Sequence, residues 1–138
     1  MRKINFRVWH KKESRWLDPL AEEDPMLCLK DFGRGCEVYL YDRQSKDWTN
    51  KDCQMDDVVI QQYTGLKDKN DVEIYEGDLL IGHNLPVGNT PVEVVFSDSF
   101  GCWCLDGVHC GGYMYGTSQR PNYTSYEVVG NIFEGVEK

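Results

Sequence analysis

The residues best suited to chemistry are thiols and imidazoles that cluster in the C-terminal third of the chain. Cys102, Cys104, His109 and Cys110 lie in one short segment, and four such side chains can complete a tetrahedral zinc site. On a strand, Cys102 and Cys104 would share one face, whereas adjacent His109 and Cys110 fit one tetrahedron poorly. The pattern leaves two interpretations open, a structural metal at these residues and a set of free, partly buried thiols.

Nucleophilic and acid–base chemistry have fewer candidates. A thiol enzyme needs a base beside its nucleophile. None of the three histidines lies at a known catalytic spacing, and Cys104 with His109 is the only pair worth naming. The corner Glu76-Gly77-Asp78 could bind a cation or transfer protons. Its structural interpretation is simpler, since Gly77 suits an unusual backbone angle and Asp78 can accept a hydrogen bond from the turn backbone. We therefore predict no catalytic residue.

An aromatic segment offers a binding surface instead. Residues 100–126 combine glycine and serine with aromatic side chains, among them Trp103, Tyr113, Tyr115 and Tyr123. Tyrosine and tryptophan supply rigid contact area, and serine and glycine supply adaptable contacts, as in many binding loops. This composition predicts protein binding, and the alternative is a long loop that packs on its own scaffold.

Composition sets limits on the class of protein. The chain has 138 residues, a net charge of −8, 41% hydrophobic residues and 28% charged residues, which is typical of a globular protein. No apolar run approaches the ~20 residues that span a bilayer, and the N-terminus lacks the apolar segment of a signal peptide. We expect a cytoplasmic protein without a membrane contact, with six reduced cysteines and no cofactor.

The charge is unevenly distributed. Residues 1–16 carry a local charge of +5, which leaves −13 for the rest, and six basic residues set against Glu13 produce it: Arg2, Lys3, Arg7, Lys11, Lys12 and Arg15. Such a run is usually a solvated face, but opposite poles can also attract within the fold or between copies. The acidic balance argues against broad nucleic-acid binding, and a homo-oligomer is plausible.

Short alternating runs and turn signals dominate the pattern. Apolar and polar residues alternate over Ile4–Val8 and Cys36–Tyr41, which predicts half-buried strands. Further strands are predicted at 58–64, 72–75, 79–81, 92–96 and 126–133, the third as a buried apolar run and the last with a bulge or bend at Gly130. No helical period persists, so a doubly wound α/β fold is excluded. Turn residues are expected at Gly65, Asp68, Asn70, Gly77 and Asp78.

Three ordered blocks of sequence resemble the YopX family. They are Phe6-Arg7-Val8-Trp9, the central pair Gln62–Asn70 and Ile74–Leu79, and the closing Val128–Phe133. The resemblance implies a phage or prophage context and a mostly β fold, and it carries over no catalytic residue. Two positions depart from the family pattern, since His10 replaces an aspartate and Asp71 replaces the glycine after Asn70.

The sequence therefore predicts a mostly β protein, all-β or β-rich α+β. It would be one YopX-like domain over residues 1–138, with a hairpin-based lobe at 1–56 and a small SH3-like barrel at 57–134 as its two lobes. The leading functional hypothesis is a non-enzymatic phage or prophage accessory protein that binds a host or phage macromolecule, most plausibly a protein. The alternatives are nucleic-acid binding or DNA mimicry, and a zinc protein or thiol enzyme.

Overall fold

Antiparallel strands make up the protein in a computed structural model that describes residues 3–21, 23–31, 36–41, 43, 46, 55–82, 89–106 and 126–136. The strands are β1 (Phe6–His10), β2 (Arg15–Trp16), β3 (Met26–Asp31), β4 (Cys36–Tyr41), β5 (Val58–Lys67), β6 (Glu73–Tyr75), β7 (Asp78–Gly82), β8 (Val92–Ser97), β9 (Cys102–Leu105), β10 (Tyr126–Asn131) and β11 (Gly135–Val136). One 3₁₀ turn, Met55–Asp57, is the only helical element among the described residues. The mostly β prediction is confirmed.

Hydrogen bonding orders the strands into three sheets. One has the order β2-β1-β5-β6, another β11-β10-β7-β8-β9, and β3 pairs with β4 alone. The sheets are curled and include a half-barrel. By Cα proximity the chain divides into two compact units, one of residues Arg7–Ile60 and one that joins Met1–Phe6 to Gln61–Lys138. The lobe limits drawn from the sequence stay a prediction.

The unit Arg7–Ile60 is built on two hairpins. In the first, Trp9 lies opposite Trp16, and their rings meet edge to face with centroids 5.0 Å apart. In the second, β3 pairs with β4 from Met26↔Tyr41 to Asp31↔Cys36. The short apolar run that begins at Met26 suits a strand or a helix turn by its sequence alone, and this pairing makes it a strand. A small buried cluster forms the core of this unit: Val8, Leu17, Leu40 and Val58.

The other unit buries its core against the five-stranded sheet. The buried cluster consists of Ile74, Leu80, Val92, Val94 and Leu105, with Leu66, Trp103, Tyr126 and Val128 packed around it. Strand β7 differs from the uniformly buried run that its sequence predicts. Leu80 is fully buried, whereas Leu79 and Ile81 are only half-buried, because alternate residues of a strand face opposite sides of the sheet.

Two irregularities in the strand pairing depend on glycine. The β5–β6 register shifts between Tyr63 and Lys67, and Gly65 lies within the shift with a φ of 89°. The β10–β7 register shifts between Val128 and Gly130, which confirms the bulge predicted there. A Cβ at Gly130 would lie 1.9 Å from the backbone oxygen of Gly135, so the close approach of β10 and β11 admits only glycine.

The turn between β5 and β6 contains the residue that replaces the family's glycine. Asp71 has a φ of 67°, a left-handed conformation that glycine adopts freely and other residues adopt at a cost. Asn70 is not among the residues with positive φ. One residue in this turn therefore has left-handed backbone, and it is the position at which the resemblance implies a glycine.

Replacing Asp71 with glycine should stabilise the protein slightly. We expect the free energy of unfolding to rise by about 0.5 kcal/mol, because relief of the left-handed strain exceeds the added flexibility of the unfolded chain. The exposed ion pair of Asp71 with Lys67 should contribute little. Urea denaturation measures the change. Asp71→Ala is the matched control and should be less stable than the wild type, and a glycine variant less stable than the wild type would contradict the expectation.

Candidate interaction surface

The hairpin of β8 and β9 presents an aromatic pair at one end. The register places Phe96 opposite Trp103, and their rings meet edge to face with centroids 5.1 Å apart and planes at 75°. This is a favoured aromatic geometry. Phe100 lies in the connecting turn, where its amide and that of Gly101 donate to the Ser97 carbonyl at 3.3 and 2.7 Å.

The aromatic pair continues the core face of the hairpin toward its turn. Val94 and Leu105 lie opposite each other on the same face, with exposures of 0% and 3%. Trp103 packs against the core cluster, whereas Phe96 is 45% exposed and Phe100 is 65% exposed. The buried strand residues therefore hold in place the partly exposed aromatic end of the hairpin, which consists of Phe96, Phe100 and Trp103. This is the arrangement of an anchored contact surface.

The opposite face of this hairpin carries two thiols. The Sγ atoms of Cys102 and Cys104 lie 3.7 Å apart, and both cysteines are free. Burial, the neighbouring Cys102 hydrogen bond and its charge raise the pKa of the Cys104 thiol, while the hydroxyl of Ser97 opposes that shift. A protonated thiol is a poor nucleophile. His109 and Cys110, the other predicted metal ligands, lie outside the described residues.

The described part of the chain contains no group of three or more His, Cys, Asp or Glu side chains placed to hold a metal ion. The four-ligand zinc site and the pairing of Cys104 with His109 both depend on residues beyond that part. They stay predictions. Tyr113, Tyr115 and Tyr123 of the predicted binding segment also lie outside the described residues.

The hairpin itself is acidic. Residues 89–106 contain Glu93, Asp98 and Asp106 and no lysine, arginine or histidine. Burial raises the pKa of Glu93, with smaller contributions from the charges of Asp106 and Glu76. The exposed aromatic side chains thus belong to a hairpin with a formal charge of −3, which would favour a basic partner over an acidic one.

The corner before β7 is occupied by backbone contacts. Gly77 has a φ of 75°, its amide donates to the Val94 carbonyl at 2.8 Å, and its carbonyl accepts from Ile132 at 3.0 Å. Asp78 is 1% exposed and accepts a hydrogen bond from the Tyr75 amide at 2.8 Å. These contacts join three strands at one corner, so the geometry gives Gly77 and Asp78 a structural part and offers no open carboxylate pair for acid–base chemistry.

Asp68 organises the preceding turn in the same way. Its side chain is buried, with a residue exposure of 6%. Oδ1 accepts from the amides of Asn70 at 2.7 Å and Val72 at 2.9 Å, and Oδ2 accepts from the amide of Val128 at 3.1 Å. One carboxylate therefore satisfies donors in the turn and in β10, which are distant in sequence.

Comparison with known proteins identifies the family. The model of the YopX protein family matches residues 5–137. This chain belongs to the YopX family. A solved structure, protein EF1440 from Enterococcus faecalis, is similar with a TM-score of 0.56 and 23% identity over 96% of this chain and 95% of that one. This likeness shows a shared fold. No curated protein matches the sequence.

One departure from the YopX pattern has a local explanation in the structure. His10 is 3% exposed, and its Nδ1 accepts a hydrogen bond from the Glu13 amide at 3.2 Å. An aspartate could accept the same bond across the turn, so histidine can serve as the acceptor at this position. Its Nε2 is buried and has no hydrogen-bond partner in the described part of the chain.

Acidic partners neutralise much of the basic N-terminal segment of this YopX chain. The ion pairs are Lys3 with Glu73, Lys12 with Asp57 at 2.7 Å, and Arg15 with Asp24 and with Glu13, both at 2.6 Å. The hydrogen bond from Arg15 lowers the pKa of Asp24. Arg7 lies over the Trp16 ring at 4.4 Å. At these residues the opposite charges attract within the fold, so less positive charge is available for a polyanion.

The sequence singled out Trp103 as a binding residue, which stays a prediction, and it passed over Phe96. Phe96 closes an alternating strand and looks like an ordinary core residue, so only its pairing with Trp103 marks it as part of an exposed surface. The weak signal was its position beside the polar turn Ser97-Asp98-Ser99.

The described chain contains no helix long and apolar enough to cross a membrane.

Proposed function

We propose that this chain is a non-enzymatic accessory protein of a phage or prophage that binds a host or phage protein through the aromatic end of the β8–β9 hairpin. Membership of the YopX family supports the phage or prophage context. The observation that supports the binding proposal is the exposed Phe100 in the turn that joins the strands of the paired Phe96 and Trp103. Aromatic anchors held on a rigid support contribute much of the energy of protein interfaces.

The chemistry of the surface specifies the kind of partner. The two exposed phenylalanines need an apolar pocket, because a polar partner would gain nothing from covering them. The hairpin carries three acidic and no basic residues, so a basic rim around that pocket would speed association and select the partner. We therefore expect a partner with an apolar pocket inside a basic rim, and an association rate that falls as salt is added.

The test compares capture by matched variants. The wild-type chain should recover one partner from infected or lysogenic cells, and Phe96→Ala/Phe100→Ala should lose it. Binding of the purified partner should then weaken by at least about tenfold, the loss expected when an interface anchor is truncated. Trp103 is left intact because it also packs against the core. Tyr113→Ala/Tyr115→Ala tests the rest of the predicted segment.

Leu20→Ala is the matched control, since Leu20 is an apolar side chain that is 86% exposed and belongs to the other unit. It should bind the partner as the wild type does. Full retention of the partner by the phenylalanine variant would remove the hairpin from the proposal. A second copy of the chain as the recovered partner would identify a homo-oligomer instead, and light scattering across salt would measure it.

Nucleic acid is the competing class of partner. The acidic hairpin and the paired basic residues of the N-terminal segment argue against it. A salt-titrated mobility-shift assay on DNA and RNA should show no complex even at low salt. A shift that weakens as salt rises would replace the protein partner with a nucleic acid.

A further inference from the structure

We draw no further inference here: the strongest candidate, the outer edge of β9 in the five-stranded sheet, where a strand of a partner could pair beside the aromatic end of the hairpin, carries none because Leu105 on that edge is only 3% exposed and nothing in the described part of the chain shows what covers it.

Discussion

Gly77→Ala is expected to lower the free energy of unfolding by about 3 kcal/mol, the sum of left-handed strain and of a displaced buried polar group. The φ of 75° disfavours any Cβ, and the added atom would lie 2.1 Å from Nε2 of Gln61 and 3.2 Å from Cδ1 of Ile132. Gln61 is 1% exposed and has polar contacts of its own. With so little exposure, its side chain has little room to move aside.

Gly101→Ala separates the two causes. Gly101 has a φ of 63°, and a Cβ there would meet no atom within 4 Å. This variant should lose only about 1 kcal/mol, the cost of the left-handed backbone. Urea denaturation followed by tryptophan fluorescence measures both. Equal losses would show that the backbone angle alone explains Gly77, whereas a partial recovery in Gly77→Ala/Gln61→Ala would identify the steric contact.

Asp68→Ala should also cost about 3 kcal/mol. The change removes a buried charged acceptor from the amides of Asn70, Val72 and Val128, and each hydrogen bond lost to a charged group costs on the order of 1 kcal/mol or more. Because two of these amides belong to a turn and the third to β10, the loss should reach beyond the turn. Urea denaturation measures the loss of stability. Hydrogen exchange at the Val128 amide measures whether that loss extends to β10.

Asp68→Asn is the informative control. Asparagine keeps one acceptor oxygen, but it directs an NH₂ group at the amides that the second carboxylate oxygen would accept from. The stability of Asp68→Asn should therefore lie between those of the wild type and Asp68→Ala. Asp106→Ala removes an exposed carboxylate and should change stability little. A wild-type exchange rate at Val128 in Asp68→Ala would contradict the link between the turn and β10.

These two predictions give the family signature a meaning. Gly77 and Asp78 hold the corner before β7, and Asp68 ties the preceding turn to β10. The matched family pattern thus describes how the chain folds. The aromatic end of the β8–β9 hairpin lies between the central and closing blocks, where side chains can differ without loss of the scaffold.

Local patterns were sufficient for the elements of the fold. Strict alternation predicted the strand Cys36–Tyr41, and the turn chemistry around Asp68 and Gly77 predicted the corners, because both depend on residues close in sequence. The run at Met26 was ambiguous, since a short apolar run suits a strand or a helix turn. Pairing with β4 decided it.

The candidate surface was only partly predictable. The composition of residues 100–126 indicated binding and included Trp103, yet Phe96 could be assigned to that surface only through the register of β8 with β9. The spacing of Cys102 and Cys104 predicted that they share a face. Their 3.7 Å separation, and the placement of Ser97 opposite Cys102, depend on the pairing and the side-chain angles of two strands.

By itself, the sequence determined a mostly β chain of the YopX type, its turn residues and its acidic character, because alternation, turn preference and charge are properties of neighbouring residues. The tertiary structure decided which residues meet across strands: Asp68 with Val128, Phe96 with Trp103, and Gly77 with Gln61. Register and bulges set these contacts, and a shift of one residue would send each side chain to the opposite face.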